Sequence, residues 1–208
     1  MYKYSYSADF SETMTKIKNF VGNSKYLAEL VEVFKYNLEH IDIVPKTLNM
    51  KDCPLELYCS YTKNQIIAAL DTSSNPSSVR QGVKYFANCK TDVFFVTLNK
   101  AEKDYSPTTM YNDYSVNESM FHWQSQSTTS VESPTGQRYI NHRVQDSKVM
   151  LFVRESNFDE FKKADSFTFL GYMDFMKYEG SRPMNIYWHM EEPIPAKFLK
   201  QTNRMVAE

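Results

Sequence analysis

Seven short runs between residues 83 and 190 decide the fold: VKYF (83–86), TDVFFVTL (91–98), MFHWQSQ (120–126), RYIN (138–141), KVMLFVRE (148–155), FTFLGYMDFMKY (167–178) and MNIYWHM (184–190). Each is rich in aromatic and β-branched residues, which suit a pleated, half-buried surface. Polar turns separate them, among them Ser133-Pro134-Thr135-Gly136 and Glu179-Gly180-Ser181-Arg182-Pro183. Several strands at such close spacing predict a curved sheet or a barrel.

Upstream, the pattern is helical. Ser11 can cap a helix whose apolar positions Met14, Ile17, Phe20 and Val21 share a face, with Gly22 at its end. Ser24 opens a longer helix carrying Leu27, Leu30, Val31, Phe34 and Leu38 at helical spacing. Pro45 opposes a helical continuation past Ile41–Val44. Thr62 and Gln65 stand at capping-box spacing before Ile66, Ile67 and Leu70, so a short helix is expected there. The tail PIPAKFLKQTN suits a last short helix. The expected class is α+β, with a helical connecting portion over residues 1–54 and a β-rich portion over 55–208.

Composition narrows the function classes. The 208 residues carry a formal net charge of −1, so any nucleic-acid reading needs a local basic face rather than a global one. The N-terminal MYKYSYSADF has no apolar core of a secretory signal, and no stretch approaches the ~18 apolar residues of a membrane span. Three cysteines, Cys53, Cys59 and Cys89, form no CxxC pair, so neither a disulfide framework nor a zinc site is indicated. Reduced thiols of a cytoplasmic protein are the expectation.

Signatures of catalysis are missing. The chain has only five glycines and no phosphate-binding loop, and neither HExxH nor GxSxG occurs. Asp159-Glu160 and Glu191-Glu192 are sequence neighbours; on strands such pairs point to opposite faces. They read as solvated surface charge. His122 and His142 lack a nucleophile motif beside them, so structural or hydrogen-bonding roles fit better. No catalytic residue, cofactor or metal is expected.

The densest polar and aromatic stretch runs from Tyr105 to His142. Within it Phe121, Trp123 and Ser125 alternate with His122, Gln124 and Gln126, which puts the two sets on opposite strand faces. A row of His and Gln can read base edges or phosphates. Such a row can equally satisfy a buried polar core. Between 131 and 154, Arg138, Arg143, Lys148 and Arg154 outnumber Glu132 and Asp146, and Tyr139 and Phe152 are interleaved. Aromatic–cationic mixtures of this kind grip backbones and stack bases.

The strings FFVTLNK, EKDYSPTTMYNDY, FHWQSQSTT, SPTGQRYINH, FLGYMDFMKYEGSRPMNIYW and EEPIPAKFL together resemble the C-terminal domain of modification-dependent (type IV) restriction endonucleases of the SauUSI type. Those proteins fuse a phospholipase-D-type nuclease to a helicase-like ATPase. The resemblance spans about residues 55–205. It implies a non-catalytic target-recognition domain with a fold similar to SRA/PUA-like readers of modified bases. The implied partners are double-stranded DNA containing methylated or hydroxymethylated cytosine and the nuclease and ATPase parts of one parent chain, with a homodimer left open.

Burying one methyl group is worth about 1 kcal/mol, too little for sharp discrimination. A flipped base adds stacking and edge hydrogen bonds. Candidate pocket walls are Tyr111, Tyr114, Phe121, Trp123 and Tyr139; candidate edge readers are Asp113, His122, Gln124 and Gln126. Ser127, Thr128, Arg138, His142 and Arg143 are candidate backbone contacts. The two glutamines lie opposite Trp123 on a regular strand, so either a bulge turns one of them or Trp123 belongs to the core. A rival reading is a protein-interaction module that docks or dimerises the nuclease and ATPase parts, which predicts an exposed apolar patch.

Overall fold

The computed structural model describes residues 19, 22, 24–39, 43–47, 54–71, 79, 82–99, 113–158 and 162–199. The chain divides into two compact units, Met1–Val44 and Pro45–Glu208. In the first, helix α1 spans Ser24–Glu39, as its spacing predicts. Tyr26, Leu27, Val31, Val33, Phe34 and Tyr36 on it are exposed. The helix expected from Ser11 lies mostly outside the described residues, and so do Tyr111 and the Asp159-Glu160 pair.

The second unit holds β1 (Ser60–Tyr61), α2 (Lys63–Leu70), β2 (Val83–Phe86), β3 (Thr91–Thr97), β4 (Tyr114–Asn117), β5 (Met120–Gln124), α3 (Pro134–Ile140), β6 (Lys148–Arg154), β7 (Phe167–Glu179) and β8 (Asn185–Met190). All eight strands join one sheet in the order β2-β3-β6-β7-β8-β5-β4, with β1 paired to β7. The β3–β6 pair is parallel and the other pairs are antiparallel. The class is therefore α+β. Among the described residues the sheet is open, ending at β2 and β4, so of the two expected forms it is the curved sheet that they make and not a closed barrel.

Helices α2 and α3 have local causes. The Thr62 Oγ1 accepts from the Gln65 N–H at 3.3 Å, and the Gln65 Oε1 accepts from the Thr62 N–H at 2.8 Å. This reciprocal cap is worth ~1 kcal/mol and starts α2, which buries Ile66, Ile67 and Leu70. RYIN, grouped above with the strands, is the end of α3. Ser133 caps that helix through its Oγ, which accepts from the Gly136 N–H at 3.0 Å, and Pro134 occupies the first turn. Proline there loses no hydrogen bond and has φ preset for the helix. A Cβ on Gly136 would lie 2.1 Å from the Ser130 carbonyl oxygen, so glycine lets the helix start press against the preceding loop.

Every residue of β3 is buried. One face, with Val93 and Phe95, joins Met150, Phe152, Phe167 and Phe169 beneath Ile66, Ile67 and Leu70 of α2. The other face presents Phe94, which stacks on Trp123 of β5 at 4.0 Å. In a flat sheet β3 and β5 would be four strand spacings, about 19 Å, apart. Their contact means that the sheet curls over itself, and Tyr139 of α3 fills the curl against Phe94, Trp123 and Trp188. Thirteen-residue β7 carries the bend: its first half pairs β6 and β1, its second half β8. The β6–β7 register slips between Leu151 and Phe152, next to Gly171, whose φ of +100° few other residues adopt.

Candidate nucleic-acid interface

Strand β5 sorts the FHWQ residues by face. Phe121 lies opposite Trp188 and Trp123 opposite Ile186, all buried in the curl. His122 lies opposite Tyr187 and Gln124 opposite Asn185, on the outer face. On the β4 side Tyr114 is the partner of His122, and on the far side of β8 Lys177 is the partner of Tyr187. No bulge interrupts the β5–β8 register. Of the two arrangements left open by the sequence, Trp123 in the core is the one found.

The outer face is a short aromatic plate. The Tyr114 ring stacks on His122 at 4.5 Å, and Tyr187 meets His122 edge-on at 4.9 Å. The two flanking rings leave His122 only 4% exposed. The Lys177 Nζ stands 4.3 Å from the Tyr187 ring centroid and pairs with Glu179 at 2.7 Å. Burial, then the neighbouring Tyr187 phenol, pushes the Tyr114 phenol pKa up, so it stays protonated and can donate. Beside the plate, the Gln124 Nε2 donates to the Asn185 Oδ1 at 3.1 Å, and the Gln124 N–H donates to the Asp113 carboxylate at 3.0 Å. Two amides and three rings thus share one sheet surface, and the Asp113 carboxylate holds the β5 backbone beside them.

The remaining candidates are placed elsewhere. Gln126 follows the end of β5, and Ser127 and Thr128 lie in the exposed turn beyond it. Ser125, fully buried, clamps this exit: its Oγ accepts from the Met184 N–H at 2.8 Å, and its N–H donates to the Met184 carbonyl at 2.9 Å. Arg138, expected at a phosphate, turns inward. Its Nε and Nη2 donate to the two oxygens of Asp92 at 2.6 and 2.9 Å, and the guanidinium lies over Tyr85. Asp92 is fully buried, so a matched cation is required there. Burial is the largest influence on Asp92 and raises its pKa, while the hydrogen bonds of Arg138 oppose that rise. Asp92 in turn holds the guanidinium firmly protonated.

His142 and Arg143 flank β7. His142 is buried, and Arg143 is exposed, with its Nε and Nη2 donating to the two carboxylate oxygens of Asp174. That pair holds the Asp174 carboxyl below its ordinary value. Arg143 and Lys148 line a cleft of about 380 Å³ together with Tyr172, Asp174 and Glu191. The sequence reading missed Asn185, Tyr187 and Lys177. The alternation in MNIYWHM, with Asn185, Tyr187 and His189 against Ile186, Trp188 and Met190, was the available signal.

Among the described residues no group of three or more His, Cys, Asp or Glu side chains could hold a metal ion. Both ring nitrogens of His142 are engaged by backbone groups, and His122 is sandwiched between tyrosines. What the outer face offers is stacking and hydrogen bonding. Among the described residues no helix is long and apolar enough to cross a membrane.

A family model described as "Domain of unknown function (DUF3427)" matches residues 55–202. No curated protein matches the chain.

Proposed function

The chain belongs to the DUF3427 family, and we propose that it is a non-catalytic domain that recognises methylated or hydroxymethylated cytosine in duplex DNA for a modification-dependent restriction endonuclease. The observation that carries this reading is the Gln124–Asn185 amide pair beside the Tyr114–His122–Tyr187 plate. Amides can bond a base edge with a donor and an acceptor together. Aromatic faces stack bases whatever their sequence. A flipped cytosine would use both, adding stacking and edge bonds to the small contribution of a methyl group.

The resemblance described above supports the rest of the reading. The fold is proposed to be related to SRA/PUA-like readers, the strongly curled sheet being compatible with that kinship. The nuclease and ATPase are proposed to lie in the same cytoplasmic parent chain. Phosphate contacts fall to the exposed Arg143 and Lys148 rather than to Arg138, whose guanidinium is turned inward onto the buried Asp92. Replacing Gln124 or Asn185 with alanine should narrow the affinity gap between methylated and unmethylated duplexes of one sequence, with melting unchanged. An unaltered gap in both variants, at normal melting, would remove this face from recognition.

A second reading, a module that docks or dimerises the nuclease and ATPase parts, is favoured by the exposed Tyr26, Leu27, Val31 and Phe34 of α1. It predicts that the chain alone has no preference for modified DNA.

A further inference from the structure

His142 sits between the turn that precedes β6 and the outer edge of β7, where the regular ladder has stopped. The β6–β7 register runs only as far as Met150–Tyr172. Beyond it the imidazole substitutes for a strand. The Phe175 N–H donates to the His142 Nε2 at 3.0 Å. An acceptor nitrogen carries no proton, so the proton of the neutral ring resides on Nδ1, which donates to the Ser147 carbonyl at 3.2 Å. The Phe175 contact therefore requires a bare Nε2 and so the neutral ring, whereas the Ser147 contact needs only the proton on Nδ1, which the imidazolium keeps. Ser147 closes the turn in return, its N–H donating to the His142 carbonyl at 2.8 Å. Asp146, beside it, has a φ of +52°, a conformation that disfavours a side chain. Within the turn the Gln145 N–H donates to the Asn141 carbonyl and the Asp146 N–H to the Arg143 carbonyl, so the turn is bonded to itself and His142 is its link to β7; an open cleft lies beside it.

The charged groups facing this ring come from several elements. Asp174 of β7 has Oδ1 3.8 Å from Nε2. Arg143, on the same turn, binds that carboxylate, and His189 of β8 also acts on it. Asp92 of β3, matched by Arg138 of α3, lies deeper. Glu191 lines the cleft and faces Asp174 and Arg143. Trp188 packs against the ring with centroids 5.8 Å apart.

We propose that His142 is a proton-operated latch that holds the 141–147 turn to β7 and, once protonated, takes Asp174 and frees Arg143. A proton on Nε2 faces the Phe175 N–H, donor against donor, so that bond is lost. The imidazolium has Asp174 as its nearest carboxylate, and it competes there with an exposed guanidinium. Asp174 thus exchanges one cation for another, and Arg143 becomes available to an anion. Burial, the largest influence on the ring, places the transition below the ordinary imidazole value of 6.5, while Asp174 and the Ser147 carbonyl moderate that shift. The latch does not depend on the DNA reading; it predicts a conformational change in the chain alone.

The test is a nitrogen-15 NMR titration of the whole chain from pH 7.5 to 5.0. At the upper end His142 should show a bare Nε2 and a protonated Nδ1. On acidification Nε2 should gain its proton, and the Phe175 and Arg143 signals should move with the same midpoint while the tryptophan signals stay folded. Across that midpoint, protection of the Phe175 amide should fall about tenfold relative to its intrinsic exchange rate, the equivalent of one net hydrogen bond. His142→Gln should abolish the transition. The proposal is overturned if Nε2 stays unprotonated until the whole chain unfolds, or if Phe175 keeps its protection after Nε2 titrates. These wild-type readings decide the matter even if His142→Gln fails to fold.

Discussion

The indole of Trp123 lies on the ring of Phe94 with centroids 4.0 Å apart and planes 25° apart, although β6, β7 and β8 separate their strands in the sheet. This contact closes the curl, and it directs His122 and Gln124 to the outer surface because they alternate with Trp123 along β5.

Trp123→Ala should therefore act on stability before binding. Removing a buried indole costs about 3–5 kcal/mol, read as an early thermal melt. A variant that melts like the wild type and loses only DNA affinity would contradict the core placement.

The two arginines should behave oppositely. Arg138→Ala strands the carboxylate of Asp92 in the interior and should cost about 3–5 kcal/mol of stability. Replacing both members, Arg138→Met with Asp92→Leu, should recover most of that loss, because no buried charge is left alone. If Arg138→Ala melted normally, the pair would have no structural weight.

Arg143→Ala should melt close to the wild type, since its guanidinium is exposed. On the DNA-reading account it should weaken binding to all duplexes alike and flatten the salt dependence by about one unit. An unchanged salt slope would take Arg143 out of the interface.

Glu191 gives a pH-dependent prediction with a definite sign. Its pKa is raised from the ordinary 4.5, first by burial and then by Asp174. A raised carboxyl destabilises the folded state when ionised, so the penalty is complete above the folded pKa and vanishes below 4.5. Glu191→Gln should raise the melting temperature slightly at pH 7, by the equivalent of ~0.5 kcal/mol or less for a site this close to the surface. At pH 3.5 wild type and variant should melt together. A variant less stable at pH 7 would reverse the assignment.

What the sequence made legible was local. The Thr62–Gln65 cap, the period of α1 and the alternation along β5 depend on residues a few positions apart, and each is found. RYIN resembles a strand because its aromatic and β-branched residues suit extended backbone, whereas the signal that decides it is Ser133-Pro134 just ahead. Alternation separated His122 and Gln124 from Trp123, but only the curl determines which face is buried. Arg138 stood in a basic run because Asp92 lies 46 positions upstream, a separation bridged only when α3 folds onto β3. Asn185 and Tyr187 joined the outer face through the β5–β8 register, which no local pattern specifies.

Recognition of the modified base is read by fluorescence anisotropy with the purified chain and two duplexes of one sequence, differing only in a single methylated cytosine. The methylated duplex should bind more tightly by about fivefold or more, the equivalent of ~1 kcal/mol from a buried methyl group. The preference should shrink in Gln124→Ala and Asn185→Ala at unchanged melting temperature. Equal affinity for both duplexes across a panel of flanking sequences, from a folded chain, would contradict it.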